Sequence, residues 1–107
     1  MMPTNDTPLS RSAITRVVKL TLHPDRIGDF TRVFLEHKQV ISTMDGCLSL
    51  QAFQDNKEPN IFFTISQWQS EHALDNYRYS EFFKTLWSTV KPMFTEKAMA
   101  HSLTPVV

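Results

Sequence analysis

Between residues 14 and 22 apolar and polar side chains alternate. Ile14, Val18, Leu20 and Leu22 tend to one side, with Thr15, Val17, Lys19 and Thr21 on the other. A period of two in a β-branched stretch predicts a strand. His23-Pro24-Asp25 interrupts it, and a proline followed by an acid is a helix start. The period then lengthens. Ile27, Phe30, Phe34, His37 and Ile41 recur at helical spacing, flanked by Val33, Val40 and Met44, which predicts one amphipathic helix over 25–43. Asp45-Gly46 ends it, the glycine suiting a left-handed turn position.

Alternation returns over 47–54, where Leu48, Leu50 and Ala52 oppose Cys47, Ser49, Gln51 and Phe53. Residues 55–60, Asp-Asn-Lys-Glu-Pro-Asn, are turn chemistry. Residues 61–69 form the next strand, with Phe62, Thr64, Ser66 and Trp68 on one face and Ile61, Phe63 and Ile65 on the other. The two strands make an antiparallel hairpin. Ser70 and Ser80 are positioned as N-caps of two further helical segments. The former segment carries Ala73, Leu74 and Tyr77; the latter carries Phe82, Phe83, Leu86, Trp87, Val90 and Phe94, with Pro92 weakening its end. A last strand is expected over 97–103. The order β-α-β-β-α-β is the split βαβ plan of a ferredoxin-like α+β domain.

The chain has 107 residues, enough for one domain. Residues 1–12 are polar and read as a disordered leader, leaving 13–107 as the domain. Hydrophobic residues make up 41% and aromatics 11% of the chain, more large rings than a thin core needs. The surplus can line a ligand pocket or a subunit interface, and both are expected. Apolar residues on both faces of the 61–69 strand require cover on both sides, which predicts a homodimer through the sheet face that the helices leave open.

Charge changes the picture by exclusion. Eleven basic and eleven acidic residues cancel, and no basic run exceeds two, so neither nucleic acid nor membrane is an expected partner. A single cysteine, Cys47, suits a reducing cytoplasm. No histidine stands beside it in sequence, so a nucleophilic role is not expected. The histidines at 23, 37, 72 and 101 lack metal-ligand spacing, and two glycines cannot form a dinucleotide loop. No metal site and no cofactor are expected.

The segments MDGCLSLQAFQD and FFTISQWQSEHALDNYRYSEFF, in this order, resemble the antibiotic biosynthesis monooxygenase family. MDGCLSLQAFQD is similar to that family's Gly–small turn into a strand. FFTISQWQSEHALDNYRYSEFF is similar to its third strand ending in tryptophan, then Ser, an acid, an Ala-Leu pair and another helix. The resemblance spans about 14–103. It implies an antiparallel sheet backed by helices on one face, two subunits joined sheet to sheet as a dimeric α+β barrel, and a pocket between sheet and helices. It also implies cofactor-free oxygenation of a small aromatic, quinol or polyketide-like molecule. Such chemistry needs an aromatic pocket with a few polar handles that binds an anion, supplies a base and excludes water.

Trp68 stands at the family's tryptophan position, as a pocket wall or as filling between sheet and helix. His37 lies on the first helix's apolar stripe, near a histidine of several relatives. A free imidazole titrates near neutrality, so His37 is either the base or a helix-flank residue bonded to backbone or water. Tyr77 occupies a position where quinol-oxidising relatives carry histidine. A phenol is a weak base at neutral pH but can hydrogen-bond a substrate oxygen. Phe34, Phe83 and Trp87 face the sheet as core or pocket wall. In the haem-degrading branch of the fold, the iron-binding histidine aligns with Trp87 and an asparagine with Val18, so haem cleavage is not expected. A non-catalytic dimeric ligand-binding domain and a small-metabolite isomerase remain the alternatives; a phosphorylated substrate would require Arg16, Lys19, Arg78 and Lys84 to converge.

Overall fold

The computed structural model describes residues 12–106; the expected leader thus lies almost wholly outside the described residues. Strands β1 (Ile14–Thr21), β2 (Cys47–Gln54), β3 (Ile61–Trp68) and β4 (Met99–Leu103) form one antiparallel sheet in the order β2-β3-β1-β4. Helices α1 (Ile27–Ser42), α2 (Glu71–Arg78) and α3 (Glu81–Val90) supply the other layer. This is the ferredoxin-like α+β architecture, its helices on one face of the sheet.

The local rules act where the residues place them. Ser70 and Ser80 each cap a helix, their hydroxyls accepting from the backbone N–H of Ala73 and Phe83, both at 3.1 Å. Gly46 has φ +83°, and a Cβ there would collide with that of Ala73, so only glycine fits this joint between β2 and α2. Its carbonyl accepts from the N–H of Gln69 at 2.8 Å, closing the same joint.

Three boundaries differ from the expected ones. Pro24–Arg26 is a 3-10 turn, and α1 proper begins at Ile27. Helix α3 stops at Val90, because Pro92 cannot continue its hydrogen bonds; a short 3-10 turn follows and Phe94 is extended. The last strand starts at Met99. A register shift separates Cys47, paired with Trp68, from Ser49, paired with Gln67. Leu48 is the extra residue of this bulge and is exposed. Simple alternation places Cys47 opposite Leu50, whereas both pack against the cluster of Ile41, Trp68 and Leu74.

Two buried clusters lie between sheet and helices. One holds Leu20, Leu22, Phe30, Val33, Phe62, Val90 and Met93. The other centres on Trp68, with Ile41 and Leu74. No helix among the described residues is long and apolar enough to cross a membrane.

Candidate functional site

A cavity of about 330 Å³ lies between the two clusters, roofed by helices and floored by the sheet. That size falls at the small end of the ~300–1,000 Å³ range of ligand sites. Cross-strand register explains the gradient of its floor. Leu20 pairs with Phe62, Val18 with Thr64, and Arg16 with both Ser66 and Ser102. The floor thus passes from apolar to polar along β1.

His37, Trp68, Tyr77, Phe34, Phe83 and Trp87 all line this cavity. His37 reaches it from α1, its Nδ1 2.7 Å from the carbonyl of Val33. A carbonyl only accepts, so Nδ1 carries the proton and a neutral ring keeps its lone pair on Nε2. The ring packs 5.8 Å from that of Phe82.

Trp68 is fully buried and stacks on Tyr77, centroids 5.1 Å apart and planes 18° from parallel. Its indole N–H donates to Ser66 Oγ at 2.9 Å. The tryptophan therefore meets a ligand with its ring rather than its donor. Ser66 accepts that bond, and its own hydroxyl proton has no acceptor among the described residues. Sequence reasoning misses Ser66, because a serine in an alternating strand reads as an ordinary polar residue; its position two before Trp68 on the same face is the available signal.

The rings continue in a chain. Tyr77 meets Phe83 edge-on at 5.0 Å, Phe83 stacks on Trp87 at 5.8 Å, and Trp87 meets Phe94 at 5.5 Å. Burial, with a smaller contribution from Cys47, pushes the Tyr77 phenol well above the ordinary tyrosine range. It stays protonated and can donate but not abstract a proton. Burial also raises the Cys47 thiol, which its weak bond to the Ser49 carbonyl only partly offsets. The protonated thiol is thereby favoured, and Cys47 packs against the Trp68 cluster.

Of the four basic residues that a phosphorylated substrate would require to converge, Arg16 and Arg78 line the cavity. Lys19 lies on the other face of the sheet, paired with Phe63 and Met99, and Lys84 bridges to Glu81 at 3.3 Å on the surface. Among the described residues no three of His, Cys, Asp and Glu are grouped to hold a metal ion.

Solved structures share this architecture. A conserved protein of Methanosarcina mazei Go1 superposes with a TM-score of 0.83 at 19% identity, covering 88% of this chain and 93% of its own. A candidate antibiotic biosynthesis monooxygenase from Caulobacter crescentus CB15 gives 0.82 at 22% identity, covering 91% and 92%. A variant of SnoaB, a cofactor-independent oxygenase from Streptomyces nogalater, gives 0.79 at 15%, covering 88% and 93%. No curated protein matches significantly. The family model for antibiotic biosynthesis monooxygenase matches residues 13–86, most of the domain, and the chain belongs to that family.

Proposed function

We propose that this protein is a cofactor-independent monooxygenase that oxidises a small aromatic or quinol with O₂. One observation carries the reading: His37, whose Nε2 has no partner among the described residues, shares an aromatic-walled cavity with two hydroxyl donors, Tyr77 and Ser66. Nε2 of His37 takes the proton of an acidic phenol or enol. The resulting anion lies against Trp68 and Tyr77, its oxygen held by the two hydroxyls. It gives one electron to O₂, and the substrate radical and superoxide then join through a new C–O bond. Protonation gives a hydroperoxide; loss of the remaining hydrogen from the same carbon then turns its C–H electron pair into the second C–O bond as the O–O bond breaks, leaving one oxygen in the product carbonyl and one in water. The substrate carbon supplies all four electrons. The protein positions, deprotonates and desolvates.

The test is oxygen consumption with a panel of anthrones and hydroquinones, without added flavin, metal or nicotinamide. His37→Ala should slow turnover by ~10²–10⁴, the usual loss for a general base. An active substrate turned over by His37→Ala at the wild-type rate removes His37 from the mechanism. A panel in which nothing reacts favours a non-catalytic ligand-binding domain.

The working unit is a homodimer packed through the outer face of the sheet. What supports this is the apolar row on that face: Phe53 pairs with Phe63, and Val17 with Ile65. Phe53, Met99 and Leu103 are 48%, 55% and 47% exposed in the single subunit. Sedimentation should find a dimer, and Phe63→Glu should shift it to monomer; a stable wild-type monomer at micromolar concentration overturns it.

A further inference from the structure

The described residues around the cavity include two guanidinium groups, those of Arg16 and Arg78, and no aspartate or glutamate. Arg16 comes from the middle of the sheet and Arg78 from the last residue of α2. Arg16 spends one donor, on Ser102 Oγ at 2.8 Å. Arg78 stands over the Tyr79 ring and 3.7 Å from Asp75, too far for a good hydrogen bond. Most of the fork of each arginine is therefore uncommitted among the described residues.

The electrostatics are unbalanced. Partial burial and then the nearby charge of Arg78 both weaken Arg16's hold on its proton, and Asp75 offsets them only in part. Two cations and one carboxylate leave one positive charge uncompensated at the polar end of an otherwise apolar cavity. Bringing two guanidiniums to a half-buried wall is unfavourable unless an anion joins them. The contrast with Lys19 and Lys84 is direct: those turn to the outer face and to solvent. Arginine is also the side chain whose planar fork matches a carboxylate with paired hydrogen bonds.

We propose that Arg16 and Arg78 form an anion-recognition site, and that the ligand is an aromatic acid whose carboxylate they receive while its rings lie against Trp68 and Tyr77. This rests on the reading of the cavity as the site of an aromatic substrate, and it names the class. A single uncompensated charge matches a carboxylate better than a dianionic phosphate.

Binding calorimetry on the intact protein tests it, with three probes of one ring system: naphthalene carboxylate, the neutral naphthamide, and naphthyl phosphate. The wild type should prefer the carboxylate to the amide by about tenfold or more, the scale of a charge-assisted hydrogen bond. Arg16→Met and Arg78→Met should each remove most of that preference while leaving amide binding intact, which a folding defect would not do. Asp75→Asn should tighten carboxylate binding, because it removes the competing anion. Equal affinity for acid and amide, no binding of either, a preference that survives both arginine variants, or a tighter phosphate ester overturns the proposal. Because no turnover is measured, a silent oxygen assay beside an intact acid preference counts against the oxygenase reading alone.

Discussion

The two ends of the space between sheet and helices are built from similar residues to opposite purposes. At one end Leu22 is fully buried with Met93, Phe62 and Phe30, and the strand leaving it is pinned by Asn60, which accepts the Leu22 N–H and donates to its carbonyl. At the other end Trp68 is equally buried, but its neighbours are polar: its N–H bonds Ser66, its ring stacks on Tyr77, and Ser66, Tyr77 and Arg16 line the cavity that separates the two ends. Burial of a large side chain thus does not tell filling from function. What separates the two ends is the polar chemistry around the buried ring, and whether partners within the fold satisfy it.

Substitutions sharpen that contrast. Leu22→Ala should cost the most, ~2–5 kcal/mol of stability, and leave ligand affinity unchanged in the folded fraction; denaturant unfolding and calorimetry together check this. Gly46→Ala should cost ~2–4 kcal/mol, combining the left-handed backbone penalty with a clash at Ala73. Because that joint fixes the start of α2, it should also weaken ligand binding, unlike Leu22→Ala. Ser66→Ala should lose about 1 kcal/mol of stability as the Trp68 N–H loses its acceptor, with a larger proportional loss in ligand affinity. An unchanged affinity would show Ser66 to be a mere support for the indole.

For stability, Tyr77→Phe should be nearly neutral at pH 7, since its hydroxyl bonds no other described residue. Its effect emerges with pH. The folded-state phenol ionises only well above its ordinary value, so it contributes stability that is intact below about pH 10 and lost as pH rises beyond it. Tyr77→Phe should flatten that alkaline decline in melting temperature; an identical slope in both proteins would place the phenol in a wetter setting.

Much of the fold is legible in the sequence because it rests on local rules. Two periods mark the strands and helices, two serines mark caps, and Gly46 marks a left-handed turn. The Leu48 bulge is hidden, because one inserted residue in a strand alters pairing without altering composition. The candidate site is legible as a set of large rings, since residues at helical spacing share a face. Its polar half is not. Arg16 and Arg78 sit on elements far apart in the chain, and only the packing of α2 against β3, the strand beside β1, decides that they share a cavity while Lys19 and Lys84 do not. The engagement of the Trp68 N–H by Ser66 depends on a rotamer that no spacing rule specifies.

The chain of rings from Trp68 through Tyr77 and Phe83 to Trp87 has an optical consequence. Trp68 and Trp87 are the protein's two tryptophans, and both stand in the cavity wall. All indole emission therefore arises within reach of whatever enters. An absorbing guest should quench it without any label, and Trp87→Phe would leave Trp68 as a lamp set in the wall of the chamber it reports on.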